Sequence, residues 1–228
     1  MAFFFSKLLR FAVLFYALYA GTNYVLKNKG YTFSPKEFRT LAEKNKGEGI
    51  ATVAKLATDL KRSFGPLIAQ ELGWTAFQAG GLQLKAMVLH GGLTEFIVAF
   101  YAPFATTGRS GIHFANSTCT VLGGSVQRTS DVEATEKVDT YAAGGNFRQS
   151  QFESSLYSLK EKTVVVCYGR GFVPFSSIWA LPQNIIGGDI VSTAKFLYFY
   201  LRNTAEVVSY SAKHTFNHLT KTYLKTEL

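Results

Sequence analysis

The sequence predicts an α+β protein in which helices flank a β-rich middle and an apolar helix lies at the N-terminus. Three changes of pattern along the 228 residues carry this prediction. Residues 1–30 are mostly apolar and lack acidic side chains, so they are predicted to form a transmembrane anchor and its linker. A second unit, residues 31–228, is predicted to begin with helices over 34–72, to continue as short strands over 79–180, and to end in helices over 190–225.

The N-terminal segment reaches the length of a membrane span only with help from its flanking charges. Its uninterrupted apolar part covers residues 11–20, whereas a span needs about 20 residues of mostly apolar helix. Lys7 and Arg10 must then extend their charged ends toward the lipid headgroups. A cleaved signal peptide and an organelle-targeting sequence are alternatives, because residues 20–22 form a weak cleavage site and no acidic residue precedes Glu37. On the argument of length, we expect a retained, single-pass anchor.

Two sequence patterns typical of helices follow the predicted anchor. Ser34 is predicted to cap a helix that has Pro35 in its first turn, and Glu37 stands where a capping box places an acid. A second amphipathic pattern covers residues 50–64, with its apolar residues on one helical face. Gly65, which is followed by a proline, is predicted to end this second helix.

From residue 82 the apolar residues alternate with a period of two. The runs LQLKAMVLH and LTEFIVAFY are separated by two glycines and are typical of strands. Further strand-like runs cover residues 112–122, 124–128, 137–141 and 163–168. Six or more short strands with turn residues between them indicate a barrel or a sandwich.

The C-terminal region is predicted to form two helices, over residues 191–201 and 207–224. The first is almost wholly apolar and aromatic, and the second places aromatic residues beside Lys213 and Lys221. This pattern is typical of a helix that lies in the membrane interface. Packing on the β-rich unit or on a partner subunit explains it equally well, and both interpretations stay open.

Charge and composition exclude several classes of function. A formal net charge of +9 indicates a nucleic acid or an anionic membrane as a partner, but the basic residues are dispersed and form no basic-aromatic stripe. We therefore predict no nucleic-acid partner. His214 and His218 are four residues apart on a predicted helix, yet no third ligand stands near them. We accordingly predict no metal site, and no cofactor.

Three blocks of the sequence resemble a known family. They are residues 31–33 before the capped helix, residues 79–111 from the Ala-Gly-Gly turn to the Gly-Arg-Ser-Gly motif, and the Tyr-Gly-Arg-Gly motif at 168–171. Their order and spacing are similar to those of the sigma non-opioid receptor and the fungal sterol Δ8–Δ7 isomerases, over residues 31–202. The resemblance implies an N-terminal anchor, a cupin-like β-barrel around an apolar pocket, and C-terminal helices at the membrane.

The resemblance also implies two pocket carboxylates on facing strands, and this sequence has neither. The two acid positions are occupied by Cys119 and Cys167, the only cysteines of the chain. Shifting a ring double bond requires an acid and a base, and a thiol with a pKa of about 8.5 replaces neither well. Glu95, a further acid of the family, is retained but cannot supply both proton transfers alone. We therefore expect a divergent, non-catalytic member; an isomerase that uses Glu95 with a thiolate, or a sigma-receptor-like ligand-binding protein, are the alternatives.

The remaining pocket wall is expected to be apolar. Carried over from the family, the residues predicted to bind a ligand are Leu82, Ala86, Val88, Phe96, Val98, Phe100, Phe114, Tyr168, Ser176, Ser177 and Ala180. A sterol or a lipid tail is the expected ligand, unless these side chains simply fill the barrel. The two cysteines are expected to be reduced, because the geometry of a disulfide is demanding, although a cross-strand disulfide is conceivable.

Partners and location follow from the resemblance and from the anchor. Without its acids, the barrel is expected to serve as a structural or lipid-binding accessory subunit of a membrane assembly, or as part of a homo-oligomer. The family points to the endoplasmic reticulum. The basic N-terminus, which has no acidic residue, leaves the mitochondrial inner membrane as an alternative.

Overall fold

The structure is a computed structural model. It describes residues 2–28, 30–131, 137–176 and 181–226. By its internal contacts the chain divides into two compact units, Met1–Thr32 and Phe33–Leu228.

The first unit contains one helix, α1 (Ala2–Asn28). Its segment Lys7–Asn28 is the one stretch of helix in the described part of the chain that is long and apolar enough to cross a membrane. Leu9, Phe15 and Tyr16 are among its large side chains that are exposed to solvent. The predicted N-terminal apolar helix is confirmed, and its insertion into a membrane stays a prediction.

The second unit combines helices with two antiparallel sheets. Its helices are α2 (Pro35–Lys44), α3 (Ala51–Phe64), α4 (Val173–Ser176), α5 (Leu181–Ile186) and α6 (Ile190–Thr226), and a 3₁₀ turn covers Gly65–Leu67. Its strands are β1 (Thr75–Ala79), β2 (Leu82–Gly91), β3 (Glu95–Ala102), β4 (Thr106–Arg109), β5 (Ala115–Gly123), β6 (Ser125–Ser130), β7 (Asp139–Ala142), β8 (Asn146–Gln149), β9 (Ser155–Leu159) and β10 (Thr163–Gly171).

One sheet has the order β1-β2-β3-β10-β5-β8 and the other the order β4-β9-β6-β7. All their strand pairs are antiparallel. Because side chains alternate along a strand, the six-stranded sheet has two faces. One face packs on α2 and α3, where Phe38, Leu56 and Leu60 are fully buried. The other face meets the four-stranded sheet, so β10 is apolar on both sides.

The ends of α2 and α3 correspond closely to the predicted ones. Ser34 is the N-cap residue of α2 and Pro35 is its first residue, but the Ser34 side chain makes no capping hydrogen bond, so the predicted capping box is wrong. Gly65 ends α3 as predicted, with a φ of 55° and a ψ of −127°, a conformation that glycine adopts far more readily than other residues.

The C-terminal prediction of two helices is wrong, because α6 is continuous over 37 residues. The polar interval that predicted a break contains Asn203, which is almost fully buried. Its Oδ1 atom accepts a hydrogen bond from the backbone N–H of Gly91 at the end of β2. Asn203 therefore attaches the middle of the helix to the sheet instead of interrupting it.

The turn between β1 and β2 depends on a glycine. Gly80 has a φ of 59°, and a Cβ atom there would lie 1.7 Å from the carbonyl oxygen of Arg109. Gly65 has nearly the same φ, 55°, with no atom within 4 Å of the equivalent position. We expect Gly65→Ala to cost about 1–3 kcal/mol, because L-residues rarely adopt its φ of 55° with a ψ of −127°. Gly80→Ala should cost about 1–3 kcal/mol more, because the backbone must move. Urea unfolding of both variants measures the difference, and equal losses would contradict the close approach at Gly80.

Candidate functional site

A cavity of about 140 Å³ lies between the two sheets. Strands of both sheets contribute side chains to its wall, which is mostly aromatic and aliphatic. The apolar part of the wall includes Phe77, Leu84, Phe96, Phe100, Phe147 and Leu159. Among the described residues that line the cavity, none is an aspartate, a glutamate, a lysine or an arginine.

A disulfide bond between Cys119 and Cys167 forms part of the cavity wall. The expectation of reduced thiols is therefore wrong. The two positions are on the neighbouring strands β5 and β10, not on strands that face each other across the barrel. They are directly opposite in register, with their Cα atoms 4.1 Å apart. Opposed residues of adjacent antiparallel strands lie close enough for a disulfide, so the pairing itself brings the sulfur atoms together.

Three of the predicted ligand-binding residues line the cavity. Leu82 lies at the start of β2, and Phe96 and Phe100 lie on β3. These two phenylalanines point to the same side as Cys167 of the neighbouring strand β10. Ligand binding by the three residues stays a prediction.

Three other predicted residues are buried outside the cavity wall. Ala86 and Val98 belong to a separate apolar cluster with Phe77, whose ring contacts Phe196 of α6 at a centroid distance of 5.2 Å. Val88 is buried in β2. None of the three is among the residues that line the cavity.

The remaining predicted residues lie elsewhere. Phe114 precedes β5, and its ring packs against the edge of Phe152 at 5.4 Å. Tyr168 points to the opposite face of the sheet from Cys167, because adjacent residues of a strand alternate, so its predicted place in the wall does not match the structure. Ser176 is on α4, and its side chain, together with Ser177 and Ala180, lies outside the described residues.

Glu95, which the resemblance implies is an acid of the family, also points away from the cavity. Its Oε1 atom accepts hydrogen bonds from the Tyr168 hydroxyl at 2.7 Å and from the backbone N–H of Phe33 at 3.3 Å. Arg170 donates to the Tyr168 hydroxyl and to the carbonyl oxygen of Phe33. Burial raises the pKa of Tyr168. This buried network holds the start of the second unit against the sheet and does not contact the cavity.

Five uncharged polar side chains line the cavity, and sequence analysis missed them all. They are Ser110, His113, Ser117, Gln149 and Tyr157. Ser117 shares the inward face of β5 with Cys119 two residues later, so strand alternation could have identified it. Gln149 and Tyr157 lie on the short strands β8 and β9, which the sequence pattern did not predict.

Hydrogen bonds join three of these polar residues into a cluster. The Gln149 amide donates to the Ser110 hydroxyl at 2.9 Å and to the carbonyl oxygen of Glu153 at 3.2 Å. The Tyr157 hydroxyl donates to Gln149 Oε1 at 3.4 Å. Ser117 is directly opposite Gln149 in the pairing of β5 with β8. The cavity therefore has one polar corner, formed by Ser110, Ser117, Gln149 and Tyr157.

Burial lowers the pKa of His113 to about 4, and a hydrogen bond with the backbone of Ser110 offsets part of this effect. The ordinary pKa of histidine is 6.5, so the side chain is neutral in the folded protein at pH 7. Burial also raises the pKa of Tyr157 to about 12, which keeps its hydroxyl protonated. The residues that line the cavity thus carry no formal charge near neutral pH.

The lowered pKa of His113 predicts a loss of stability in acid. Below pH 6.5 the unfolded chain binds a proton at His113, whereas the folded protein does not until pH 4. The free energy of unfolding should therefore fall as the pH falls from 6.5 to 4, by about 3 kcal/mol from this group. Denaturant unfolding of His113→Gln should show this part of the pH dependence removed. His214→Gln, at an exposed position on α6, serves as the control, and an equal change in both variants would contradict the burial of His113.

Comparison with known proteins agrees with the predicted resemblance. The sigma non-opioid intracellular receptor 1 of Danio rerio is 30% identical over 178 residues, 77% of this chain and 77% of the relative. The corresponding Gallus gallus receptor is 28% identical over 191 residues, 82% of this chain and 84% of the relative. The C-8 sterol isomerase of Neurospora crassa is 23% identical over 175 residues, 73% of this chain and 68% of the relative.

Solved structures similar to part of the chain include cupins. An RmlC-like cupin from Shewanella frigidimarina is 13% identical with a TM-score of 0.38, and the match covers 45% of this chain and 86% of that chain. The family described as ERG2 and Sigma1 receptor like protein matches residues 9–211. The chain belongs to this family of ERG2 and Sigma1 receptor like proteins.

Proposed function

We propose that this chain is a non-catalytic member of its family that serves as an accessory subunit of a membrane assembly. The observation that carries the proposal is the disulfide between Cys119 and Cys167 at the positions where the resemblance places two carboxylates. Moving a ring double bond needs one group to donate a proton and another to accept one. A disulfide can do neither, because its sulfur atoms carry no ionisable hydrogen and are too weakly basic to accept a proton.

The rest of the cavity does not replace the missing acid–base pair. Glu95 is on the opposite face of the sheet, where it binds the Phe33 backbone and Tyr168. His113 has a pKa of about 4, so it is a weak base. Since a general acid or base works best with a pKa near the working pH, His113 alone is poorly matched to either role.

The size of the cavity also argues against sterol turnover. Pockets for drug-sized ligands measure roughly 300–1,000 Å³, whereas this cavity measures about 140 Å³. A sterol would therefore have to displace side chains such as Phe96 and Phe147 from the wall. The cavity is smaller than pockets for drug-sized ligands, it carries no charge, and a disulfide braces it. These properties favour a structural role for the two sheets that enclose it.

The proposal includes a membrane anchor and an oxidising compartment. The apolar helix α1 supplies a candidate single-pass anchor. Disulfides persist in oxidising compartments, which favours the lumen of the endoplasmic reticulum, the location that the family suggests, over a reducing compartment. Ile186, Ile190 and Val191 are exposed apolar residues around the start of α6. Exposed apolar surface of this kind is typical of contact with lipid or with a partner subunit.

A sterol isomerase assay tests the loss of catalysis. The purified full-length protein, incubated with a Δ8-sterol with and without a thiol reductant, is expected to form no Δ7 product. The Neurospora crassa C-8 sterol isomerase, assayed in parallel, is the positive control. Product formation by the reduced protein that disappears in Cys167→Ala would overturn the proposal, because it would assign acid–base chemistry to a thiol.

Native gel electrophoresis tests the accessory role separately. The endogenous protein, extracted in mild detergent, is expected to migrate within a complex that contains other polypeptides. Migration alone, or as a small homo-oligomer, would contradict the accessory role and leave the catalytic argument intact.

A further inference from the structure

We infer that the cavity binds a small, uncharged ligand through a single hydroxyl group, which Ser117, Gln149 and Tyr157 orient. This inference extends the proposed function: it assigns a ligand to a cavity that the proposal treats only as non-catalytic. It does not depend on membership of an assembly.

The absence of charge in the wall determines the class of ligand. An ammonium or carboxylate group that enters an apolar cavity loses its hydration, and this costs several kcal/mol unless an opposite charge compensates. The described residues of the wall provide no such charge. The positions that the resemblance assigns to carboxylates form a neutral disulfide instead. Cationic amines are therefore excluded, and a neutral molecule is favoured.

The polar corner has hydrogen-bonding capacity that the protein itself does not use. Among the described residues, Ser117 Oγ has no hydrogen-bond partner, so it can both donate and accept. Both N–H groups of the Gln149 amide are occupied, whereas Gln149 Oε1 accepts only one long bond, from Tyr157. The Tyr157 hydroxyl donates that bond and keeps its own acceptor capacity.

The register places these groups where one ligand atom can contact more than one of them. Ser117 and Gln149 are directly opposite on adjacent antiparallel strands. Side chains in such positions start from Cβ atoms about 4.5–5.5 Å apart. A ligand hydroxyl between them can accept a hydrogen bond from Ser117 Oγ and donate one to Gln149 Oε1. A hydroxyl matches this arrangement because it is donor and acceptor at once.

The volume of the cavity limits the size of the apolar part of the ligand. An engineered apolar cavity of about 150 Å³ is known to hold benzene, and the volume here is about 140 Å³. The aromatic wall that faces the polar corner therefore suits one ring or the end of a short alkyl chain. A single-ring alcohol has the size, the neutrality and the hydroxyl that the cavity requires.

Three ring compounds that differ in one substituent test the inference. Toluene, benzyl alcohol and benzylammonium are titrated into the full-length protein in one detergent, and the dissociation constants are measured by calorimetry or ligand-observed NMR. We expect benzyl alcohol to bind about 2- to 10-fold more tightly than toluene, the range that one net hydrogen bond gives. Benzylammonium is expected not to bind.

Matched variants assign the preference to the polar corner. Ser117→Ala and Tyr157→Phe should reduce the preference for benzyl alcohol and leave the affinity for toluene unchanged. Thr118→Val, one residue along β5 and on its opposite face, should change neither affinity. Any of three results would overturn the inference. The first is tight binding of benzylammonium, the second is an equal loss of affinity for toluene and benzyl alcohol in Ser117→Ala, and the third is no binding of any of the three compounds. None of these outcomes bears on the isomerase assay, so the two proposals fail independently.

Discussion

Loss of the Cys119–Cys167 disulfide is expected to lower the free energy of unfolding by about 4 kcal/mol. The bond joins residues 48 positions apart, and closing a loop of that length restricts the unfolded chain strongly. Wild-type protein unfolded and refolded in denaturant should therefore show a lower unfolding midpoint when a reductant is present. Both cysteines are almost completely buried, so the reductant must act on the unfolded protein.

The double variant Cys119→Ala/Cys167→Ala provides the control for this prediction. It cannot form the bond, so its stability should not respond to reductant, and it should be at least as unstable as the reduced wild type because it also lacks two buried sulfur atoms. A wild-type midpoint that is unaffected by reductant would mean that the disulfide does not contribute to stability.

The second large effect is expected at Glu95, which is buried on the helix-facing side of the sheet. Glu95→Ala removes the acceptor for the backbone N–H of Phe33 and one of the two acceptors of the Tyr168 hydroxyl, the other being the carbonyl oxygen of Phe33. It also leaves the positive charge of Arg170 without the nearby carboxylate. Removing one partner from a buried charged network typically costs about 3–5 kcal/mol, so we expect a loss of that size.

Two comparisons make the prediction for Glu95 specific. Glu95→Gln keeps one acceptor oxygen and should lose less stability than Glu95→Ala. Glu161→Ala, at an exposed turn, should change stability by less than about 0.5 kcal/mol. Amide exchange at Phe33 should accelerate in Glu95→Ala only, since Glu95 accepts the hydrogen bond of that amide. If the Phe33 amide in Glu95→Ala is as well protected from exchange as in the wild type, Glu95 does not hold the Phe33 backbone in place.

The helices and the long strands could be predicted from the sequence because local signals mark them. Pro35 and Gly65 define helix ends through their backbone preferences, whichever tertiary contacts form. The alternating runs of β2 and β3 are long enough to show their period. By contrast, the four-residue strands β4 (TTGR) and β8 (NFRQ) hold at most one apolar residue each, so they show no period-two pattern.

The sequence left the disulfide open because the bond depends on strand register. Sequence separation does not reveal that Cys119 and Cys167 are directly opposite, since that follows from the pairing of β5 with β10 over many residues. The resemblance identified both positions as parts of the pocket. It did not reveal that the two strands are neighbours, which is the fact that decides whether two cysteines can join.

The alternation of side chains along a strand predicts which residues share a face of the sheet, and the family resemblance did not take this into account. If Phe96 and Phe100 point into the cavity, Glu95 must point to the other face, because adjacent residues of a strand alternate. The same argument places Tyr168 opposite to Cys167. A position-by-position transfer of family residues therefore assigned to the pocket a tyrosine that the geometry of a single strand excludes.

Cys119 and Cys167, at the positions where the resemblance places two acids, are joined in one disulfide between the two sheets. Peptide mapping by mass spectrometry measures this directly: protein extracted from its native source is alkylated before denaturation and again after it, then digested without reductant. We predict a covalently linked pair of peptides that contain Cys119 and Cys167 and that separate only after reduction. Recovery of the two peptides singly, each with an alkylated cysteine, would contradict the account.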